Sequence, residues 1–238
     1  MSSTVADAAA ARLAAVRARI ADAAARYGRD AADITLIAVS KTHSAAAVDA
    51  LAALGQRDFG ENYLQEALEK IATLAARPLV WHFIGQLQSN KTRAVAEHFA
   101  WAHTIDRAKL ADRLSAQRPA TLPALQVCVQ VHLGDEASKG GVSPAELPAL
   151  LDHVAACPRL QLRGLMAIPP EESSTDAQRR WFAALRTLFE AARVRHPGLD
   201  TLSMGMSADL DAAIAEGATQ LRIGTALFGP RGATAHAN

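Results

Sequence analysis

Short apolar runs alternate with longer stretches of helical composition eight times along these 238 residues, and that rhythm restricts the chain more than any other feature. The runs predicted as strands are 34–40, 56–59, 79–84, 101–104, 125–133, 161–166, 201–204 and 220–222, each followed by a segment rich in Ala, Leu, Glu and Arg. Strand–helix alternation implies parallel pairing through crossover connections, and eight such units in roughly 200 to 250 residues are what a closed barrel requires. A doubly wound open sheet would gather its polar and glycine residues at one switch point. Here nearly every predicted strand ends in one, at Lys41, Gly60-Glu61-Asn62, Gly85, Asp106, Gly134-Asp135, Gly205 and Gly224, so the chemistry is spread around one rim. The expectation is an α/β fold, a single (β/α)8 TIM barrel over about 34–230, preceded by an extra amphipathic helix over about 4–27 in which Leu13, Val16 and Ile20 recur at helical spacing. Residues 231–238 read as a frayed tail.

Half of the residues are hydrophobic, enough for one sizeable core, so the whole of 1–238 is expected to form one domain. The charges balance, 25 Lys+Arg against 24 Asp+Glu, which leaves no net field to hold nucleic acid or an anionic membrane. Cys128 and Cys157 form neither a CxxC pair nor a metal-spaced cluster with histidine, so no disulfide framework or zinc site is signalled and a reducing compartment is expected. The Ala- and Arg-rich start lacks the apolar core of a secretory signal, and Asp7 and Asp22 argue against a transit peptide. It reads as a cytoplasmic start, and no apolar run is long enough to span a bilayer.

Lys41 closes the first strand, so its amine would emerge at the rim. Among apolar walls, desolvation disfavours the charged form and frees the amine for Schiff-base formation. The other reading is a rim lysine paired with Glu61 or Asp106. Ser203-Met204-Gly205-Met206-Ser207 follows the seventh strand and Arg222-Ile223-Gly224-Thr225 the eighth, the two loops where such barrels most often hold a phosphate. Glycines allow close approach, Ser207 and Thr225 offer hydroxyls, and a helix starting near Ala208 would aim its amides at the anion. The ligand is then a phosphorylated carbonyl compound, either a sugar phosphate, as in a lysine-dependent aldolase, or pyridoxal 5′-phosphate (PLP). Arg222 shares a face with Gly224 and could reach the ring nitrogen of a bound pyridine, or else pair at the rim with Asp209 or Glu216.

The stretches Leu36-Ile37-Ala38-Val39-Ser40-Lys41-Thr42, Phe59-Gly60-Glu61-Asn62-Tyr63-Leu64-Gln65-Glu66, Trp81-His82-Phe83-Ile84-Gly85, Arg163-Gly164-Leu165-Met166, Leu202-Ser203-Met204-Gly205-Met206-Ser207 and Arg222-Ile223-Gly224-Thr225 together resemble the pyridoxal phosphate homeostasis proteins, the YggS/PROSC family. The resemblance implies a PLP-binding barrel of the alanine racemase type, with PLP on Lys41, Asn62 beside it, Ser207, Gly224 and Thr225 around the phosphate, and Arg222 at the pyridine nitrogen. It also implies a role in buffering PLP and passing it to apo PLP-dependent enzymes, with amino-acid and keto-acid pools kept in balance and no established turnover. His43, Ala45, Gln86 and His132 depart from the family pattern. If a second lysine beside Lys41 assists PLP transfer in relatives, His43 puts that step in doubt here, and Lys139 is the alternative amine.

Among the remaining residues, His82 reads as a hydrogen-bonded barrel residue, while His98, His103, His153 and His196 have no partner at ligand spacing and read as surface residues. Ser89 or Asn90 is expected to cap a helix at Lys91, and Thr175 or Asp176 the helix after the loop 169–175. A racemase needs acid–base groups on both faces of the substrate carbon. Tyr63 is the tyrosine near the mouth, and the sequence runs only about ten residues beyond the predicted barrel, so a monomeric binding protein is favoured over a PLP-dependent racemase or decarboxylase.

Overall fold

The computed structural model describes residues 3–134 and 140–229. Eight parallel strands close in chain order into one barrel: β1 (Thr35–Val39), β2 (Asp58–Glu61), β3 (Val80–Phe83), β4 (Trp101–Ile105), β5 (Leu125–Gln130), β6 (Leu160–Met166), β7 (Thr201–Ser203) and β8 (Gln220–Ile223). The seam pairs β1 with β8 from Thr35↔Gln220 to Ala38↔Ile223. The runs that form these strands are dense in Val, Ile and Leu because both sheet faces are covered, one by the barrel interior and one by helices.

The helices are α1 (Ser3–Arg26), α2 (Ala45–Ala53), α3 (Leu64–Thr73), α4 (Thr92–His98), α5 (Ala108–Gln117), α6 (Leu147–Ala155), α7 (Thr175–Arg195), α8 (Leu210–Ala215) and α9 (Thr225–Phe228). Each long helix buries a stripe at three- and four-residue spacing, such as Phe182, Leu185 and Phe189 on α7. Full burial of one such side chain contributes about 1.5–3 kcal/mol.

The extra helix α1 buries Ala9, Leu13, Val16 and Ile20 and packs on α2, α8 and α9. Arginines stitch it to the end of the chain: Arg12 Nε donates to the Leu227 carbonyl at 2.7 Å, and Arg19 Nη1 to the Ser207 carbonyl at 2.7 Å. The opening helix is thereby coupled to the loops after β7 and β8.

Several local expectations are corrected. β2 starts two residues later than predicted, because the Gln56 backbone amide donates to the Leu51 carbonyl at 3.1 Å in the turn after α2, while its side-chain amide anchors to the Leu36 and Asp58 carbonyls. β5 ends at Gln130, three residues earlier than predicted, and Val131 forms only an isolated bridge, with Val142. Ser174 caps α7 by accepting from the Ala177 amide, in place of Thr175 or Asp176. Residues Ser89–Lys91 form a 3₁₀ turn, and α4 begins at Thr92 without a side-chain cap, so neither Ser89 nor Asn90 acts as predicted. α8 begins at Leu210, two residues past Ala208, after a turn over 207–209. Asp135, Lys139 and the tail 231–238 lie outside the described residues.

Candidate functional site

Because each strand runs toward the same rim, Lys41 after β1, Asn62 after β2, Ser207 after β7, Arg222 in β8, and Gly224 and Thr225 at the start of α9 all line one cavity of about 320 Å³. That volume suits a small ligand. His43, Ile84, Ile168 and Met206 complete much of the wall. Lys41 and Arg222 are basic and, among the described residues, no acidic side chain lines the cavity, so it favours an anion.

Lys41 is half-buried and, among the described residues, makes no hydrogen bond or ion pair. The rim pairings considered for it are not formed. Glu61 is taken by Lys70 Nζ at 2.6 Å and by the Ser40 hydroxyl at 2.6 Å, while Asp106 pairs with Arg107 at 2.6 Å. Asn62 presents a buried Oδ1 that has no partner among the described residues, an acceptor that a ligand donor could satisfy. The chain can bring Asn62 this close only because Gly85 lacks a side chain; a Cβ there would collide with the Asn62 carbonyl.

The end of the cavity formed by the loops after β7 and β8 is backbone-rich. Gly205 sits at φ 93, a conformation that glycine adopts without penalty, and turns the chain into residues 207–209. Asp209 secures that turn by accepting from the Met206 amide at 2.6 Å, and among the described residues the Ser207 and Ala208 amides are not engaged by backbone carbonyls. Across from them, Gly224 and Thr225 open α9, whose first amides have no intrahelical partners.

Arg222 is 4% exposed and donates through Nη1 to Ser203 Oγ at 2.8 Å and through Nη2 to the Ala167 carbonyl at 2.9 Å. It forms no ion pair with Asp209 or Glu216, the latter being held by Arg179 and Arg186 at 2.8 and 3.0 Å. Burial lowers its pKa to about 10, which still leaves the guanidinium charged at neutral pH.

Behind Arg222 a file of polar side chains crosses the barrel interior. Ser203 Oγ lies 2.8 Å from His103 Nδ1, His103 Nε2 lies 3.0 Å from His82 Nδ1, and His82 Nε2 lies 3.0 Å from Asp58 Oδ1. The two charged ends set its direction. Asp58 can only accept, so His82 donates from Nε2 and accepts at Nδ1 from His103; His103 Nδ1 then accepts the Ser203 hydroxyl, which accepts from Arg222. Burial pushes the pKa of His82 down and that of His103 well down, consistent with two neutral rings.

The expectation for His82 as a hydrogen-bonded barrel residue holds, whereas that for His103 as a surface residue is overturned, since it is fully buried. The signal was available: residues 101, 103 and 105 alternate along β4, so His103 lies on the inward face beside His82 of β3. The expectation that His153 has no partner at ligand spacing is corrected: its ligand atom lies within 4.8 Å of those of Asp112 and Cys157, because Cys157 follows it by one helical turn. His153 pairs with Asp112 at 2.6 Å and His196 with Asp152 at 3.0 Å, while His98 is exposed as expected. Tyr63 is 56% exposed and does not line the cavity.

The alanine racemase N-terminal domain family matches residues 11–232. The chain is 60% identical over 219 residues to the pyridoxal phosphate homeostasis protein of Pseudomonas aeruginosa, covering 92% of this chain and 94% of that one. It is 53% identical over 222 residues to the protein of the same name from Escherichia coli K12, covering 92% and 95%. Among solved structures, PipY of Synechococcus elongatus with PLP bound superposes with a TM-score of 0.81 at 40% identity, covering 93% of this chain and all of that one (100%). Alanine racemase from Corynebacterium glutamicum, 17% identical with a TM-score of 0.69 over 98% of this chain and 63% of that one, shares the fold.

Proposed function

This chain belongs to the alanine racemase N-terminal domain family and, within it, to the pyridoxal phosphate homeostasis proteins, and from that premise we propose that it binds PLP at the barrel mouth, joined as a Schiff base to the Lys41 amine. The observation that carries this reading is the cavity itself. Among the described residues, a lysine amine with no partner shares a pocket free of acidic side chains with two glycine- and hydroxyl-bearing loops suited to a phosphate.

The residues fit the group. Ser207, Gly224 and Thr225 would hold the phosphate, Asn62 would offer its unpaired Oδ1, and Arg222 would face the pyridine nitrogen. PLP bound to an amine can act as an electron sink, but an arginine that keeps its own charge discourages protonation of that nitrogen and weakens the sink. The protein's residues then bind and orient PLP more than they drive chemistry on it. This favours a carrier that buffers the cofactor and passes it to apo PLP-dependent enzymes, acting as a one-domain monomer in the cytoplasm and not as an enzyme in its own right.

The test is an absorption spectrum of purified protein before and after borohydride reduction, with peptide mapping of the modified lysine. A yellow protein whose reduced label maps to Lys41 supports the reading. A label on another residue, or no uptake of added PLP, overturns it. Lys41-dependent turnover of an amino-acid panel at ordinary enzymic rates, against a Lys41→Ala control, would replace the carrier by a racemase or decarboxylase.

A further inference from the structure

The loop that presents Lys41 is strained, and something outside the cavity holds it. Residues 40–43 form a tight turn closed by the His43 amide donating to the Ser40 carbonyl at 3.0 Å, with Lys41 and Thr42 as its central pair. Thr42 has φ 66, and it is the one residue other than glycine with positive φ among the described residues. Positive φ at such a turn position is normally supplied by glycine or asparagine, and a β-branched side chain there is an outlier that its surroundings must enforce.

Helix α3 supplies that enforcement. The Thr42 amide donates to Glu66 Oε1 at 2.6 Å. Glu66 is braced one turn later by Lys70, whose Nζ lies 2.5 Å from the same oxygen, 2.6 Å from Glu61 Oε1 and 2.6 Å from the Ser40 carbonyl. All three ammonium protons are thereby used. The Ser40 hydroxyl also donates to Glu61 Oε1 at 2.6 Å. One buried ammonium, 4% exposed, thus ties the residue before Lys41, the carboxylate whose grip fixes the residue after it, and Glu61, which directly precedes Asn62. None of Glu61, Glu66 or Lys70 lines the cavity, so the cluster acts on Lys41 from behind.

We propose that Glu61, Glu66 and Lys70 form a clamp on the lysine-bearing turn, in which Glu66 is a positioning residue that holds Thr42 in its left-handed conformation and so aims Lys41 into the cavity. The inference rests on the reading that Lys41 is the PLP-bearing residue, and it adds how that lysine is preorganised. Without the carboxylate, Thr42 relaxes to ordinary φ and the competent geometry becomes a minor population, which weakens the apparent affinity in proportion.

Glu66→Ala is the informative change because the Glu66 side chain is 29% exposed and its loss leaves Lys70 paired with Glu61 and Ser40. In the full-length chain, Glu66→Ala is expected to weaken PLP binding about tenfold, and Thr42→Gly added to it is expected to restore most of that loss, because glycine adopts positive φ unaided. A merely structural role for Glu66 would not be rescued at Thr42. An independent readout needs no PLP: hydrogen exchange at the Thr42 amide is expected to accelerate about tenfold or more in Glu66→Ala. Wild-type affinity in Glu66→Ala overturns the clamp, as does a double variant that stays weak or a Thr42 amide whose exchange is unchanged. If the unaltered protein takes up no PLP on Lys41, the functional reading fails, while the exchange measurement still decides the clamp.

Discussion

Ser203 Oγ and His103 Nδ1 stand 2.8 Å apart, although a hundred positions separate them in the chain, and that contact joins the arginine in the cavity to two histidines in the barrel interior. Ser203 both donates to His103 and accepts from Arg222, so it is the coupling point of the file.

Replacing Ser203 by alanine removes an acceptor from the buried Arg222 and a donor from the buried His103. Two uncompensated polar groups, one of them charged, are expected to cost about 2–3 kcal/mol of stability. Urea unfolding measures that loss, and PLP titration is expected to weaken severalfold as Arg222 loses one of its two anchors. Unchanged stability would show that the file bears no load.

Asn62→Ala separates binding from folding. Because its buried Oδ1 has no partner among the described residues, the substitution is expected to change stability by less than about 1 kcal/mol while weakening PLP binding about fivefold. Parallel thermal melts and fluorescence titrations distinguish the two effects. A large loss of stability with unaltered affinity would assign Asn62 to the scaffold.

The histidine pair predicts acid sensitivity. Burial holds His82 below its ordinary 6.5 and His103 well below it, so in that range the unfolded chain binds more protons than the barrel. Stability therefore rises with pH across the window and is lost as pH falls below 6.5, by up to about 1.4 kcal/mol per pH unit for each histidine. Urea midpoints from about pH 8 to about pH 5 are expected to fall less steeply in His103→Gln than in the unaltered protein. Identical slopes would show that His103 takes up its proton in the folded barrel.

Both cysteines are buried, and burial pushes the Cys128 thiol up to about 12 against the opposing pull of Arg222. Little thiolate is then present to react. Alkylation at mild alkaline pH, followed by mass spectrometry, is expected to leave Cys128 unmodified in native protein and to label it after denaturation. Rapid native labelling would mean that the β5 wall opens.

The barrel and the residues gathered around its mouth were legible in the sequence because they depend on local order. Eight alternations set the topology, and a lysine, two glycine loops and an arginine at strand ends are carried to the same rim by parallel pairing. Inward alternation along β4 likewise carries His103 into the barrel interior, a burial that the absence of a partner at ligand spacing does not reveal.

The rest depended on tertiary structure. Glu66 and Lys70 look like an ordinary solvated pair on one helix face, and only the packing of α3 against the turn after β1 buries the ammonium and directs it to Ser40 and Glu61. The left-handed Thr42 is likewise invisible to propensity, which disfavours it. Sequence periodicity thus determined which elements form and which ends share a face. Which polar side chains lose water, and must therefore find one another, was decided by how the closed barrel excludes solvent, since hydrogen bonds between distant residues become obligatory only once both partners are buried.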